Sequence, residues 1–385
     1  MLPRTPTSPC GPGGQRLRGP AGRCHTLPVA AQQAASGRET GGGPTLADRF
    51  REHFGGRDHL YGVLLAEMAD DWEEGGVTRE LFEGWEGAEP RQFVQLRLLA
   101  GLFRIVLRGD APQLVPFYPV LGGDADPEEA WAAVRPVLAA HVEELRASLS
   151  DVPQTNEPAR TVALLVGISE AVRRTGLRRV RLLELGASAG MGLQVDRYRF
   201  EGDGWSAGPE DAHLVIHACG AAGFDPQPFQ VVERRGCDLA PVDVSTPEGE
   251  AHMRSFVWPW MLDRHLRFDG ALDVMRQHPV TVDAAPAGAW LAEQLTVAPP
   301  EGVLTVVWHS VTRVYWPVEE ARAVDAALAD GRTRMPVAHV SMETPWSAWE
   351  AAMARPLPRL PRIEVDGDLL GTCDHHGPPV QLERR

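Results

Sequence analysis

Apolar residues along the first third of the chain recur at the spacing of amphipathic helices. Stretches such as HLYGVLLAEMADDW and FVQLRLLAGLFRIVLRG repeat an apolar position every three or four residues, with acidic or glycine-containing breaks between the stretches. We therefore predict five or six helices between residues 45 and 150, which together form a helical cap.

The pattern changes after residue 150, where β-rich apolar runs alternate with helical ones. The runs are RVRLLEL (179–185), LVIHACG (214–220), FQVVERRG (229–236), PVTVDA (279–284), VLTVVWHS (303–310) and PVAHVSME (336–343). Strands separated by helices indicate a sheet that is mostly parallel and doubly wound. The C-terminal segment PRIEVDGDLLGTCDHHGPPVQLE predicts an antiparallel hairpin at the sheet edge, with a turn near Gly367 or at 374–378. The predicted fold class is α/β, with this sheet over residues 151–385 and the helical cap before it.

Residues 1–44 differ from the rest of the chain in composition. They are rich in Gly, Pro, Arg and Ser and hold few large apolar residues, so burial cannot offset the entropy of ordering them. We predict a disordered tail, or alternatively a segment translated from an upstream start codon.

Charge narrows the classes of partner. The formal net charge is −14, and residues 1–44 carry five arginines against one acid, so the remainder carries about −18. This excess of negative charge disfavours nucleic acid or an anionic membrane as the main partner. The sequence contains no lysine, which excludes a Schiff-base lysine, a pyridoxal-phosphate anchor and a P-loop lysine.

Cysteine usage and hydropathy indicate a cytoplasmic protein. Five scattered cysteines do not resemble a disulfide framework, and neither a signal-peptide apolar region nor a membrane-spanning run is present. No pair of cysteines has the C-x₂₋₄-C spacing of zinc ligands, and the cysteine neighbourhoods are distant in sequence, so we predict no metal site. The candidates considered for zinc are His217, Cys219, Cys237, Cys373, His375 and His376.

The segment LLELGASAGMGLQVDRY, residues 182–198, supports two interpretations. GASAG fits the G-x-S-x-G elbow that presents the serine of an α/β-hydrolase, and Asp283 with His309 or His339 would follow in the required order. Hydrolases of that fold place several strands before the elbow, whereas here the preceding hundred residues are predicted helical.

The same segment also fits a cofactor-binding loop. RLLEL supplies a strand, Gly186 and Gly190 permit a tight turn, and MGLQVDRY predicts a helix whose N-terminal amides attract negative charge. Glu184 ends the strand with an acid that can accept hydrogen bonds from a ligand amine or from loop amides. We favour this interpretation, in which Ser188 is part of a cradle.

Later strands bring further polar residues to the same edge of the sheet. Asp238 follows the run FQVVERRG and Asp283 lies near the end of PVTVDA, while His309 and Glu343 lie at the ends of VLTVVWHS and PVAHVSME. His309 is a candidate general base or substrate ligand, and Glu343 is a second candidate catalytic residue. The alternatives are a buried structural histidine and turn or cap acids, with Glu343 capping a helix that begins near Trp346.

The spacing E-x-G-x-S-x-G resembles the first motif of class I S-adenosylmethionine-dependent methyltransferases, with Ser188 in place of the middle glycine. That resemblance implies S-adenosylmethionine as cofactor, with Asp238 near the ribose hydroxyls and Asp283 near the adenine amine. Asp238 lies 48 residues after Gly190, so the resemblance requires an insertion.

The stretches VPQTNEPAR, LLELGASAGMGLQVDRYRF, ERRGCDLAPVDV and FVWPWMLDRHLR resemble domain-of-unknown-function family 2332, an uncharacterised bacterial family common in actinobacteria. The resemblance runs from about residue 47 to the C-terminus and departs at Met191-Gly192, where the family tends to carry Leu-Asn. The motif positions that it transfers are Gln154, Thr155, Asn156, Glu157, Glu184, Gly186, Ser188, Gly190, Asp196, Arg197, Tyr198, Arg235, Asp238, Pro241, Trp258, Pro259 and Arg264.

The methyltransferase resemblance implies an enzyme of that kind that acts on an unidentified small molecule, whereas the resemblance to family 2332 implies a methyltransferase-like fold with a helical cap and no known activity. Gln154, Asn156 and Glu157 precede the first strand, where a methyltransferase closes over the methionine end of its cofactor. The alternatives are a non-catalytic cofactor- or nucleotide-binding protein of the same fold and a serine hydrolase that uses Ser188.

Overall fold

The computed structural model describes residues 45–54, 56–89, 92–344 and 360–383. The predicted tail, residues 1–44, lies outside the described residues, and so does the helix start that was predicted near Trp346. All the described residues belong to one compact unit.

Six α-helices occupy the described part of residues 45–150. They are α1 (Leu46–His53), α2 (Leu60–Glu73), α3 (Val77–Leu81), α4 (Val94–Leu107), α5 (Ala130–Ala140) and α6 (Val142–Ser148). Thr45 begins α1 with a capping box in which its side chain and Asp48 each bond the other's backbone amide. Leu64, Met68 and Phe103 are fully buried in the core that these helices share. The helical prediction for this segment is confirmed.

Eleven strands lie in the described residues. They are β1 (Arg179–Leu185), β2 (Arg199–Gly202), β3 (Trp205–Ala207), β4 (Val215–Ile216), β5 (Gln230–Asp238), β6 (Val282–Ala284), β7 (Val303–Ser310), β8 (Val337–Glu343), β9 (Arg362–Val365), β10 (Asp368–Asp374) and β11 (Gly377–Leu382). Eight of them form one sheet in the order β11-β10-β9-β8-β7-β1-β5-β6. The strands β6, β5, β1, β7 and β8, which are neighbours in that order, are mutually parallel. β9, β10 and β11 add an antiparallel edge. The mixed, mostly parallel α/β sheet is therefore confirmed.

Helices cover both faces of this sheet because each buried strand is apolar on both sides. The five helices are α7 (Thr161–Thr175), α8 (Pro247–Ser255), α9 (Leu262–Gln277), α10 (Ala287–Gln294) and α11 (Val318–Gly331). Leu182 and Val306 belong to the core on the side of α7 and α9, whereas Leu183 and Val307 belong to the core with α10 and α11. Neighbouring residues of one strand face opposite sides of the sheet, so each face has its own core.

The helical cap packs on the sheet half through two tryptophans that precede α9. Trp258 and Trp260 contact the core of the cap, and the Trp260 ring stacks on His59 with 4.1 Å between centroids. Trp258 meets Phe54 edge to face at 5.1 Å. These aromatic contacts join the segment before α9 to the core of the helical cap.

A helix was predicted to start at MGLQVDRY, and the structure has a helix over Met191–Arg197, but it is a 3-10 helix and not an α-helix. The Tyr198 hydroxyl donates to the Met191 carbonyl at 2.8 Å, and Arg234 donates to the Leu193 carbonyl at 2.8 Å. Because side chains take carbonyls that an α-helix would pair with its own amides, the segment closes as a tight turn.

The prediction of a full strand over LVIHACG is wrong. Only Val215–Ile216 is extended, and it joins β2 and β3 in a separate three-stranded sheet. Ala218, Gly220 and Ala221 have positive φ angles of 54°, 67° and 55°, which end the extended backbone after two residues.

The C-terminal segment forms two hairpin turns, so both of the predicted turn positions are used. Gly367 turns β9 into β10, and residues 375–376 turn β10 into β11. Within the described residues, no helix is both long and apolar enough to cross a membrane.

Candidate functional site

The loop Gly186–Gly190 leaves β1 at the point where the strand order reverses. β1 pairs with β5 on one side and with β7 on the other. In open α/β sheets, ligands bind outside the carboxyl ends of the strands at such a point. The amides of Gly186 and Ala187 both donate to the Cys237 carbonyl, at 2.8 and 2.9 Å, which ties the loop to β5.

Three loop residues adopt left-handed backbone conformations. The φ angles are 72° at Gly186, 52° at Ser188 and 83° at Gly190. A Cβ atom at Gly186 would lie 2.4 Å from the side chain of Thr312, and one at Gly190 would lie 2.6 Å from Val280. Glycine is therefore required at both positions by conformation and by space.

Ser188 is 5% exposed and does not contact the residues that a hydrolase would need. Its hydroxyl donates to the sulfur of Met253 at 3.6 Å. His309 instead contacts Glu343 and His339, and Asp283 is paired elsewhere in the sheet. The described residues thus do not assemble the serine, histidine and acid into a triad.

Asp238 and Gln154 hold the loop from the β5 side. Asp238 accepts from the Ser188 amide at 2.9 Å and from the Ala240 amide at 2.9 Å. Gln154 donates to the other side of the same turn, to the Ala240 carbonyl at 3.0 Å and to Asp238 at 3.3 Å. Asp238 is only partly buried, and a carboxylate has about four lone-pair positions, so it can still accept from a ligand.

Asn156 holds the other end of the loop. Its side-chain amide donates to the Ala187 carbonyl at 3.0 Å, and its side-chain oxygen accepts from the Met191 amide at 3.1 Å. Its own φ angle is 33°, a left-handed conformation that asparagine tolerates better than most residues. Asn156, one of the residues predicted to act before β1, therefore contacts the loop directly.

Glu184 is a buried acid beneath the loop. It is 4% exposed, and its Oε2 atom has no hydrogen-bond partner. Burial raises its pKa to about 8; the side chain of Trp308 lowers this value and the charge of Asp238 raises it. The carboxyl group is therefore a proton carrier and an unsatisfied hydrogen-bonding group at the first strand's end.

The departure from the family pattern at Gly192 faces this same acid. A Cβ atom at Gly192 would lie 2.3 Å from Oε1 of Glu184. Any side chain here would require Glu184 to move, so the glycine and the buried acid belong together in this chain.

Asp283 does not share a face with Asp238. One of its oxygens accepts from the Trp290 indole at 2.6 Å, and Arg235 pairs with the carboxylate at 2.8 Å. Arg235 lowers the pKa of Asp283. Trp290 lies in the core with α10, so Asp283 points to the opposite side of the sheet from the loop. Its contacts support a structural role, and its adenine role stays a prediction.

Glu157, predicted at the methionine end of the cofactor, is fully engaged by arginines. Its oxygens accept from Arg264 Nε at 2.6 Å and from Arg267 Nε at 2.9 Å. Burial acts to raise its pKa, but the charges of Arg264 and Arg267 hold it at about 2. Glu157 is thus an anchor for two arginines rather than a free ligand group.

The two predicted catalytic residues contact each other. His309 Nδ1 lies 2.7 Å from Glu343 Oε1, and His309 Nε2 lies 2.9 Å from His339 Nε2. Glu343 Oε1 also accepts from the amides of Thr312 and Arg313, at 2.9 and 3.1 Å. Glu343 Oε2 is buried without a partner. Both ring nitrogens of His309 are occupied, so Glu343 Oε2 is the atom of this pair that can take a proton.

Sequence reasoning did not find several residues of this region. Arg160, Thr312, Tyr315 and His376 come together only through the folding of α7, the segment after β7 and the β10–β11 turn. Arg160 Nε, for example, donates to the carbonyl of His375 at 2.9 Å across 215 positions of sequence. No short-range pattern signals such a contact.

A cavity of about 420 Å³ opens beside the loop. Ala189 of the loop, residues 241–245 after β5 and residues 279–282 before and within β6 line it, with Leu272, Met275 and Arg276 of α9. Its volume falls in the range of small-molecule sites. No group of three or more His, Cys, Asp or Glu side chains within the described ranges could hold a metal ion.

Comparison with known protein families identifies the family of this chain. The family described as an uncharacterized protein conserved in bacteria (DUF2332) matches residues 47–381. The chain belongs to this family. The matched range includes the helical cap, the loop Gly186–Gly190 and the C-terminal hairpins, so all three belong to the sequence that the family shares. No curated protein and no solved structure matches the chain.

Proposed function

We propose that this DUF2332 protein is an S-adenosylmethionine-dependent methyltransferase of the class I type that acts on an unidentified small molecule. The observation that carries the proposal is the glycine-containing loop at the point where the strand order reverses. Along the chain, β1, β5, β6, β7 and β8 are the first to fifth parallel strands, and their spatial order is third, second, first, fourth, fifth. Rossmann-like cofactor-binding folds share this order.

Three features support a cofactor at the loop. Asp238 keeps acceptor capacity for the hydroxyls of a ribose while it holds the Ser188 amide. The cavity beside Ala189 is large enough for a nucleoside. Glu184 supplies a carboxyl oxygen beneath the loop that has no hydrogen-bond partner among the described residues, and an ammonium group of the cofactor would donate to it through a bridging water.

The cofactor, when bound, would supply a methyl group on a sulfonium, so the chain itself needs to align the acceptor and accept a proton. Glu343 Oε2 is the free oxygen for that proton. His309 is a positioning residue, because its Nδ1 bonds the other oxygen of Glu343 and its Nε2 is occupied by His339.

A specific observation favours a second candidate, a cofactor-binding protein that lacks transfer. The side chain of Thr312 packs against Gly186, and Ser188 replaces a glycine in a left-handed position. Both features narrow the space above the loop. Binding of S-adenosylmethionine without formation of S-adenosylhomocysteine across a broad acceptor panel would favour this candidate.

Equilibrium dialysis with radiolabelled S-adenosylmethionine tests the loop assignment. We expect wild-type chain and the exposed-site control Glu210→Gln to bind alike, and Asp238→Ala to bind at least tenfold more weakly, because it loses both the ribose acceptor and a loop contact. Circular dichroism checks that the variant is folded. Equal binding by Asp238→Ala would contradict the assignment.

A further inference from the structure

Three arginines lie near the buried carboxylate of Glu157. We call Arg160, Arg264 and Arg267, together with Glu157 and His376, the arginine cluster. It lies where the start of α7, the start of α9 and the β10–β11 turn meet. Buried charges in proteins are normally paired, so the composition of this cluster needs an explanation.

Arg264 is the most buried arginine of the cluster, and only some of its N–H groups donate hydrogen bonds within the described residues. It is 4% exposed; its Nε donates to Glu157 and its Nη1 lies 3.4 Å from Nε2 of His376. Its Nη2 is buried and has no hydrogen-bond partner in the described part of the chain. An unsatisfied, charged donor in this position is costly unless a ligand completes it.

Arg160 carries the cluster toward the predicted catalytic residues. The Arg160 side chain donates through Nε to the His375 carbonyl at 2.9 Å, and it is partly accessible. Burial lowers the pKa of Arg160, while the charges of Glu157, Tyr315 and Glu343 act in the opposite direction. Arg160 therefore lies within electrostatic range of Tyr315 and Glu343. An arginine stays protonated under all ordinary conditions, so its charge is permanent.

Within the cluster, three guanidinium groups accompany the one carboxylate of Glu157, and the acids Asp374 and Glu343 lie near Arg160. His376 contributes no charge, because burial and the charge of Arg264 keep its pKa well below the ordinary value for histidine. The unpartnered Nη2 of Arg264, rather than a surplus of charge, is therefore the feature that calls for a ligand with an acceptor oxygen.

The position of the cluster separates it from the nucleoside half of the loop. Asp238 and the 420 Å³ cavity lie on the β5 side of β1. Glu343 and the β10–β11 turn lie on the β8 side, with β7 between them and β1. A group bound by Arg160 and Arg264 would thus lie near the proton acceptor Glu343, where the methyl acceptor is expected.

We propose that Arg160 and Arg264 bind a carboxylate group of the methyl acceptor, so that the substrates of this protein are carboxylic acids. The planar guanidinium matches a carboxylate in geometry as well as in charge. The identification of the bound molecule as the methyl acceptor rests on the proposed function. The carboxylate site itself rests on the contacts of the arginine cluster.

Calorimetric titration of the full chain tests the site with four probes, which are benzoate, phenylacetate, indole-3-acetate and hexanoate, each beside its uncharged amide. We expect at least one acid to bind with a Kd of about 1 mM or below, and its amide at least tenfold more weakly, since charge-assisted hydrogen bonds are the stronger kind. Arg160→Gln should weaken the acid at least tenfold and leave the amide unchanged. The control Arg173→Gln, which removes an exposed arginine of α7, should bind as wild type.

Arg160 is the preferred variant because Arg264→Gln would leave Glu157 buried with less compensation and could fail to fold. Failure of all four acids to bind, equal binding of acids and amides, or tighter binding of inorganic phosphate would overturn the inference. A tenfold loss of S-adenosylmethionine affinity in Arg160→Gln would also overturn it, because the carboxylate would then belong to the cofactor.

The two proposals fail separately. Wild-type chain that binds a carboxylate through Arg160 but does not bind S-adenosylmethionine would remove the methyltransferase proposal and keep the carboxylate site. Wild-type chain that binds S-adenosylmethionine but shows no acid-over-amide preference would do the reverse.

Discussion

At the scale of single residues, Glu184 is a carboxylic acid in an environment that disfavours its charged form. Its carboxyl group is buried with one oxygen unpartnered, and its pKa rises from 4.5 to about 8. Sequence reasoning placed an acid at this strand end correctly. It could not predict the burial, which depends on Gly192 leaving room above the carboxylate and on Trp308 lying in the neighbouring strand.

Glu184 makes stability depend on pH in a defined direction. The folded chain holds the proton up to about pH 8 and the unfolded chain releases it near pH 4.5, so stability falls as pH rises between these values. We expect Glu184→Gln to remove this slope and to exceed wild type in free energy of unfolding by roughly 2–4 kcal/mol at pH 8.5. Urea unfolding between pH 5 and 8.5 measures it, with Glu210→Gln as the control. Parallel pH profiles for wild type and Glu184→Gln would disprove the buried-acid account.

Ser188 tests the strain in the loop. At a φ of 52° we expect Ser188→Gly to change the free energy of unfolding by less than about 1 kcal/mol, because relief of the left-handed strain offsets the entropy of glycine. Ser188→Val should cost about 2 kcal/mol or more, since β-branched residues rarely adopt this conformation. The same two changes at exposed Ser206 in β3 should show no penalty for valine. A valine tolerated at 188 as well as at 206 would show that the loop is not strained.

At the scale of elements, the loop and its contacts differ most from the sequence prediction. The strand before the loop and the glycines in it were predicted correctly, since alternating apolar positions and small residues signal them locally. A helix was also predicted after it, but its 3-10 form was not, because Arg234 from β5 and Tyr198 at the end of the segment bond its carbonyls. Periodicity reports a segment's own preference and cannot report a competing side chain from another strand.

Asn156 is the element-scale test of how the loop is held. Asn156→Ala loses two hydrogen bonds, one at each end of the loop, and we expect a loss of about 2 kcal/mol in free energy of unfolding. Gln154→Ala loses weaker, more exposed bonds and should cost less than about 1 kcal/mol. Hydrogen exchange should quicken at the Met191 amide in Asn156→Ala alone. Equal effects of the two substitutions would contradict the assigned roles.

At the scale of the whole molecule, the alternation of strands and helices predicted the layers of the fold, and the cap's periodicity predicted its helices. What the sequence could not predict is which distant segments meet above the strand ends. The arginine cluster joins residues 157–160, α9 and the β10–β11 turn, which are more than 100 positions apart. Contacts of this kind depend on the sheet order and on the crossings between strands, which local patterns do not specify.

The buried histidines make the whole fold sensitive to acid. Burial and neighbouring positive groups lower the pKa of His53 and His265 to about 4 and that of His339 and His376 well below 6.5. The unfolded chain protonates these groups near pH 6.5, so stability is lost as pH falls below that value. Glu184 acts in the opposite sense but is one group against several, so we expect a net uptake of protons on unfolding near pH 5. Urea midpoints at pH 7, 6 and 5 measure this uptake; an unchanged midpoint would contradict it.

Calorimetric titration of the full wild-type chain with S-adenosylhomocysteine, S-adenosylmethionine, NAD⁺ and ATP is the most direct test of the cofactor proposal. The account predicts saturable one-to-one binding of the two sulfur-containing nucleosides and weaker or no binding of the other two. Binding of NAD⁺ or ATP in preference, or of none of the four, would contradict the assignment of the Gly186–Gly190 loop to S-adenosylmethionine.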